Sequence, residues 1–400
     1  MPRAPRVNRI KSYAQEAYRN TLNIKNRLLQ AGDRAFTRAF GQVPLPGLVP
    51  AALGPEVTAA DLNLHMTGED SRIWMQPDLL SFQEVTADNG QTYRVVRKFA
   101  EGGQAAIFEV RDEDGAMFLL KQIIVPEGMA KSFVPEFLSR FDREINVISE
   151  IKHRNVVKYI ARDPSPNPRF FIMEHVNRGD LDSLLQEGRQ FNPRQAVQIV
   201  GQTVNGLIGF ERAARGGRII GLKNPQEGVA HRDLKPENLL VDEGEHTDPQ
   251  TGQPYLTVKL SDFGIVKIPE SQSTSIGMFL GSPAPWTAPE LMPDKSRFAN
   301  QSSDIFALGG ILHYALVGKI PFENDLKPFF NDPWELNTYF LANAQALIAK
   351  MAKAGPPREN IPQLAWDTML KAMSFDPARR PQTYIQFRNL LLECLKPSEA

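Results

Sequence analysis

His231-Arg232-Asp233-Leu234-Lys235-Pro236-Glu237-Asn238 is the stretch on which the reading of this chain turns. Within eight residues it combines acids, cations and an amide in an order that a surface loop seldom reaches by chance. A second short motif, Asp262-Phe263-Gly264, follows a strand-like run downstream. Asp233 alone would read as a solvated loop charge, and so would Asp262. Together with Lys235 and Asn238 they offer a proton acceptor, a cation and oxygen ligands of the kind a hard divalent ion takes.

The two segments resemble the catalytic and magnesium-binding loops of the eukaryotic-type (Hanks-type) serine/threonine protein kinase family. That resemblance implies an α+β, bilobal fold, with a small antiparallel-sheet N-lobe carrying one main helix and a larger, mostly helical C-lobe. It implies transfer of the γ-phosphoryl of ATP to Ser/Thr hydroxyls of protein substrates, with ATP and Mg²⁺ as cofactors. Asp233 matches the base that accepts the substrate hydroxyl proton, and Lys235 steadies the transferring phosphate. Asn238 and Asp262 match the metal ligands. The alternative is a pseudokinase, a nucleotide- or protein-binding scaffold on the same fold.

The nucleotide side follows the same resemblance. Ala100-Glu101-Gly102-Gly103 stands where the family carries a glycine-rich phosphate lid, a loop that needs glycine so that backbone N–H groups can approach phosphate. Here Ala100 and Ala105 replace two of the glycines. Lys121 matches the lysine that contacts the α/β-phosphates, and Glu144 is its expected helical partner. Ile107 forms the roof of the purine pocket and Leu240 its floor, with Met173 at the back and Glu174 and His175 along the adenine edge. Leu119 replaces the usual alanine, adding bulk beside the ring.

Ala288-Pro289-Glu290 closes the segment that begins at Asp262, and Glu290 is expected to pair with Arg380. Asp304 is expected to brace the catalytic loop. Either Ser282 or Thr287 would touch Asp233 and Lys235. Arg232 and Lys267 match cations that read a phosphorylated activation segment, with Thr274 or Ser275 as the self-phosphorylation site. Two insertions, 213–228 and 243–255, read as surface loops or as a docking surface for a protein substrate.

The remaining sequence sets limits. The chain has 400 residues, with Lys+Arg and Asp+Glu equal at 46, so no global charge argues for nucleic acid. Its single cysteine, Cys394, excludes an internal disulfide framework and fits a reducing cytoplasm. No run is apolar enough to span a bilayer. Residues 1–80 form a basic helix and Pro-rich linker ahead of an N-lobe at 81–174 and a C-lobe at 175–400. Within the first forty residues nine cations face only Glu16 and Asp33. That segment reads as a tail or docked helix, as a peripheral membrane contact, or as the address of a bacterial protein delivered to a host cytosol. Oligomeric state is not legible.

Overall fold

A computed structural model describes residues 84–101, 105–125, 134–166, 169–217, 219, 229–247, 254–263, 284–291 and 300–396. Strands β1 (Glu84–Thr86), β2 (Thr92–Glu101), β3 (Ala105–Arg111) and β4 (Met117–Ile123) form a meander. With β5 (Tyr159–Arg162) and β6 (Phe170–Glu174) they make one antiparallel sheet, in the order β1-β2-β3-β4-β6-β5. The expected turn at Asp88-Asn89-Gly90 is present, with Gly90 at φ 78°, a conformation that glycine reaches without strain. The sheet curls until its two edges meet. Asp88 N–H donates to the Arg162 carbonyl at 2.8 Å, and Arg162 N–H donates to the Asp88 carboxylate at 3.0 Å.

Side chains alternate across a strand, so parity sorts the sheet into two faces. Ala106, Phe108, Val110, Leu120, Phe170 and Ile172 fill a small core on one face. Ile107, Leu119, Phe171 and Met173 belong to the main core on the other. There the cross-strand rows run Ile107-Lys121-Phe171 and Glu109-Leu119-Met173. Helix α1 (Val134–Glu150) packs on that same face, its Phe141 ring 5.7 Å from that of Phe171. Apolar Phe141, Ile145 and Ile148 recur at helical spacing and supply its buried stripe.

The larger lobe holds α2 (Leu181–Gln186), α3 (Pro193–Arg215), α4 (Gln301–Val317), α5 (Glu323–Leu326), α6 (Pro333–Ala354), α7 (Gln363–Ala372) and α8 (Tyr384–Glu393). The hairpin of β7 (Leu239–Thr247) and β8 (Pro254–Leu260) lies under the cleft. Helix α3 starts where Asn192 and Gln195 cap each other's backbone N–H, with proline in the first position. Helix α4 is apolar on every side, and such a helix must be central; all of its residues but the last are buried. Gly309 makes that burial close: a Cβ there would lie 2.7 Å from Met373 Cγ of the residue that caps α7.

The insertions differ from expectation in part. Helix α3 continues through Arg215 because Ala213 and Ala214 complete its buried stripe, so 213–215 is helix and not loop. In the second insertion the described residues 243–247 and 254–255 belong to the two strands of the hairpin, with Thr247 opposite Pro254. Glu243 at its base is held by Arg178 at 2.6 Å and Arg189 at 2.7 Å. Residues 1–80, 218 and 220–228 lie outside the described residues.

Candidate active site

Lys121 is the hinge of the electrostatics. Strand parity aims it into the cleft, where its Nζ meets Glu144 Oε1 of α1 at 2.5 Å and Asp262 Oδ1 at 3.5 Å. Burial alone would lower its pKa; the carboxylates of Asp262 and Glu144 outweigh that cost, and the net shift is upward. Burial pushes the Glu144 carboxyl up to about 7, against the pull of Lys121, with Asp262 and Asp233 adding like charge. Three carboxylates thus face two lysines, Lys121 and Lys235, an excess that a bound cation would remove.

The motif 231–238 is held from below. Asp304, at the start of α4, accepts the backbone N–H of His231 at 2.6 Å and of Arg232 at 2.9 Å, and the Tyr384 hydroxyl at 2.5 Å. These bonds hold Arg232 in the left-handed region at φ 69°, which a residue with a side chain reaches only at a cost. The next residue, Asp233, is thereby fixed at the cleft floor. Asn238 Nδ2 donates to the Asp233 carbonyl at 2.7 Å and to its carboxylate at 3.2 Å, which leaves the amide oxygen as the end suited to a hard cation. Lys235 Nζ lies 3.7 Å from Asp233 Oδ2, and although burial opposes its charge, Asp233 and Glu237 carry the net shift upward.

Asp262 also takes a left-handed conformation, φ 61°, which sends its carboxylate toward Lys121 and Phe263 the opposite way. Phe263 is buried against Phe210 at 5.4 Å and His231 at 5.0 Å between ring centres. Burial lowers the His231 pKa, so its ring packs there as a neutral aromatic. Asn238 and Asp262 are the right donors for Mg²⁺, and among the described residues no group of three or more His, Cys, Asp or Glu side chains could hold a metal. The remaining ligands would be phosphate oxygens and water, as that ion prefers.

The residues expected around a purine are described in part. Ala100 and Glu101 end β2, opposite Ile107 and Ala106. Leu119 is buried at 4% exposure between Glu109 and Met173, so its bulk stands in the cleft face of the sheet as expected. Leu240 is half-buried in β7 and paired with Asp180 across an isolated bridge. The Glu174 side chain turns away, accepting Lys158 N–H at 2.6 Å and Lys259 Nζ at 2.8 Å, and so ties β6 to β8 across the lobes. Gly102, Gly103, Gly264, Lys267, Thr274, Ser275 and Ser282 lie outside the described residues.

One group was missed. Glu109 is a buried carboxylate on the cleft face, clasped by Arg97 at 2.7 and 2.5 Å, with His175 Nε2 at 3.5 Å. His175, expected along the adenine edge, thus has its side chain beside this carboxylate. A charged residue flanked by Phe108 and Val110 was the available signal.

The scaffold residues meet as expected. Glu290 forms a two-pronged pair with Arg380 at 2.6 and 2.9 Å, and Ser303 adds a hydroxyl at 2.9 Å. Residues 93–389 match the family model described as the protein kinase domain. The chain belongs to the protein kinase domain family. It is 30% identical over 235 residues to the probable serine/threonine-protein kinase pknA2 of Bifidobacterium longum, covering 58% of this chain and 27% of that one. It is 29% identical over 309 residues to the serine/threonine-protein kinase pkn3 of Myxococcus xanthus, covering 74% and 48%. PknL of Mycobacterium tuberculosis is 28% identical over 237 residues, covering 58% and 51%. The chain thus spans between about a quarter and about half of the length of these relatives. Among the described residues no helix is long and apolar enough to cross a membrane.

Proposed function

We propose that this chain is a serine/threonine protein kinase that moves the γ-phosphoryl of ATP to protein hydroxyls with Mg²⁺. The observation that carries the reading is Lys121 seated between Glu144 and Asp262, directly across the cleft from Asp233 and its lysine. Phosphoryl transfer asks the protein mainly to position groups and to neutralise charge. Asn238 and Asp262 would hold Mg²⁺, which when bound supplies positive charge against that of the phosphates. Asp233 accepts the proton of the attacking hydroxyl. Lys235 and Lys121, both held cationic by their carboxylate neighbours, supply positive charge to the phosphates. Asn238 fixes the rotamer of Asp233 through its amide nitrogen, so its amide oxygen would be the end to ligate the ion. The scaffold alternative is not favoured, because each ionic position required for transfer is filled and in reach of its partners.

Regulation is part of the proposal: phosphate on Thr274 or Ser275 would meet Arg232 and Lys267 through charge-assisted bonds.

The test is a pair of variants in the full chain. Asp233→Asn removes the base and leaves Mg-ATP binding near normal while abolishing transfer, because the loss falls on the transition state. Asp262→Ala weakens metal-dependent nucleotide binding as well. Wild-type turnover by Asp233→Asn would refute the assigned base.

A further inference from the structure

Asn337 is an amide in an apolar place. It lies on α6 beside Leu336 and Phe340, which are buried, and is itself only 4% exposed. A buried amide is costly unless it is bonded. Its Oδ1 accepts the backbone N–H of Ala284 at 2.9 Å. Ala284 lies between Asp262 and α4 in sequence, six residues ahead of Glu290 and its pair with Arg380.

Two further contacts seat residues 284–291. The Trp286 ring lies on the backbone of α4, where a Cβ at Gly310 would come within 3.3 Å of it. The same ring stands 5.8 Å from that of Tyr314, whose hydroxyl donates to Asp182 at 3.3 Å. Trp286 and Glu290 thus fix residues 284–291 to the centre of the lobe, while Asn337 fixes them at Ala284 from a different helix.

We propose that Asn337 is a positioning residue for the protein substrate, acting through Ala284 to set the stretch that carries Thr287, one of the two hydroxyls expected beside Asp233 and Lys235. The inference rests on the kinase reading above. Because the bond is to a backbone N–H, it requires an acceptor at position 337 whatever side chain stands at 284.

The experiment uses the full 400-residue chain, labelled ATP and a degenerate Ser/Thr peptide library. Asn337→Leu keeps the volume, removes the acceptor and leaves the Ala284 N–H without its partner. It is expected to lower kcat/KM for peptide about tenfold, the worth of one buried hydrogen bond, with KM for ATP unmoved. Asn337→Asp keeps an acceptor oxygen in either protonation state and restores kcat/KM to within about threefold of wild type. Three outcomes overturn the assignment while wild-type transfer stands: Asn337→Leu equal to wild type, both KM values rising together, or Asn337→Asp failing as Leu does. The absence of transfer by the wild type refutes the kinase reading and this assignment with it.

Discussion

Replacing Asp304 by asparagine tests how the catalytic loop is held. The two oxygens of this buried carboxylate serve three donors: His231 N at 2.6 Å, Arg232 N at 2.9 Å and the Tyr384 hydroxyl at 2.5 Å. The amide has the same shape but one acceptor oxygen, so its NH₂ must face at least one N–H. That donor stays buried without a bond, at a cost of about 1–3 kcal/mol. Arg232 then loses part of what holds it at φ 69°. Its relaxation returns part of the strain stored in such a conformation, so the net loss of stability is about 1 kcal/mol. Activity suffers more than stability, because Asp233 follows Arg232 directly. A misplacement on the order of 1 Å costs about a hundredfold in rate, and that is the fall in kcat expected. KM for ATP stays near wild type, since the Lys121–Glu144 pair is untouched. Tyr384→Phe is the control: it removes one hydroxyl, leaves both backbone bonds, costs about 1 kcal/mol and keeps kcat within several-fold. Urea unfolding and initial-rate kinetics on both variants decide the matter. Asp304→Asn with near-wild-type kcat, or Tyr384→Phe with an equal fall in kcat, would refute the argument.

Leu119→Ala should cost about 2–5 kcal/mol in denaturation, given 4% exposure, and admit purines with added bulk; unchanged KM for ATP and for bulky analogues would mean that the ring never meets this side chain. Glu290→Ala strands a guanidinium whose side chain is 0% exposed, so about 3–5 kcal/mol should be lost, and adding Arg380→Met should recover part of it; a loss below about 1 kcal/mol sinks the view that the pair is buried in energetic terms. His313 is buried against Trp366, and burial lowers its pKa from 6.5 to about 4, so below pH 6.5 the unfolded chain binds a proton that the folded chain refuses. Stability therefore falls as pH drops from 6.5 toward 4, by about 3 kcal/mol in total, and His313→Gln should flatten that slope; an equal slope in both proteins would assign the acid sensitivity elsewhere.

What the sequence disclosed follows from how far each piece of chemistry reaches along the chain. Asp233, Lys235 and Asn238 are legible because the loop must present all three within one turn of backbone, so their order is local. Lys121 and Glu144 are 23 positions apart, on a strand and a helix, and no periodicity pairs them; the resemblance alone brought them together. Arg97 shows why the rest was hidden. Strict alternation from Tyr93 through Val95 would put Arg97 on the upper face of the sheet, beside that small core. An irregularity in the pairing of β2 and β3 between Val95 and Arg97 shifts the register by one residue. That slip carries a side chain to the opposite face, and Arg97 comes to lie against Glu109 in the cleft. The Ala213–Arg215 turn of α3 was hidden for a related reason: glycine-rich residues after it suggested a loop, while two alanines facing the core extended the helix. Asn337 is the limiting case. Nothing in the sequence around it singles out this asparagine. Its role exists only once a backbone N–H fifty-three residues earlier has been brought to 2.9 Å. Bonds from side chains to distant backbone leave no pattern in composition or spacing, because the backbone partner can belong to any residue type. Such contacts hold residues 284–291, whereas side chains of required identity make up the 231–238 motif; the second kind can be read from a sequence, and the first must be seen in the fold.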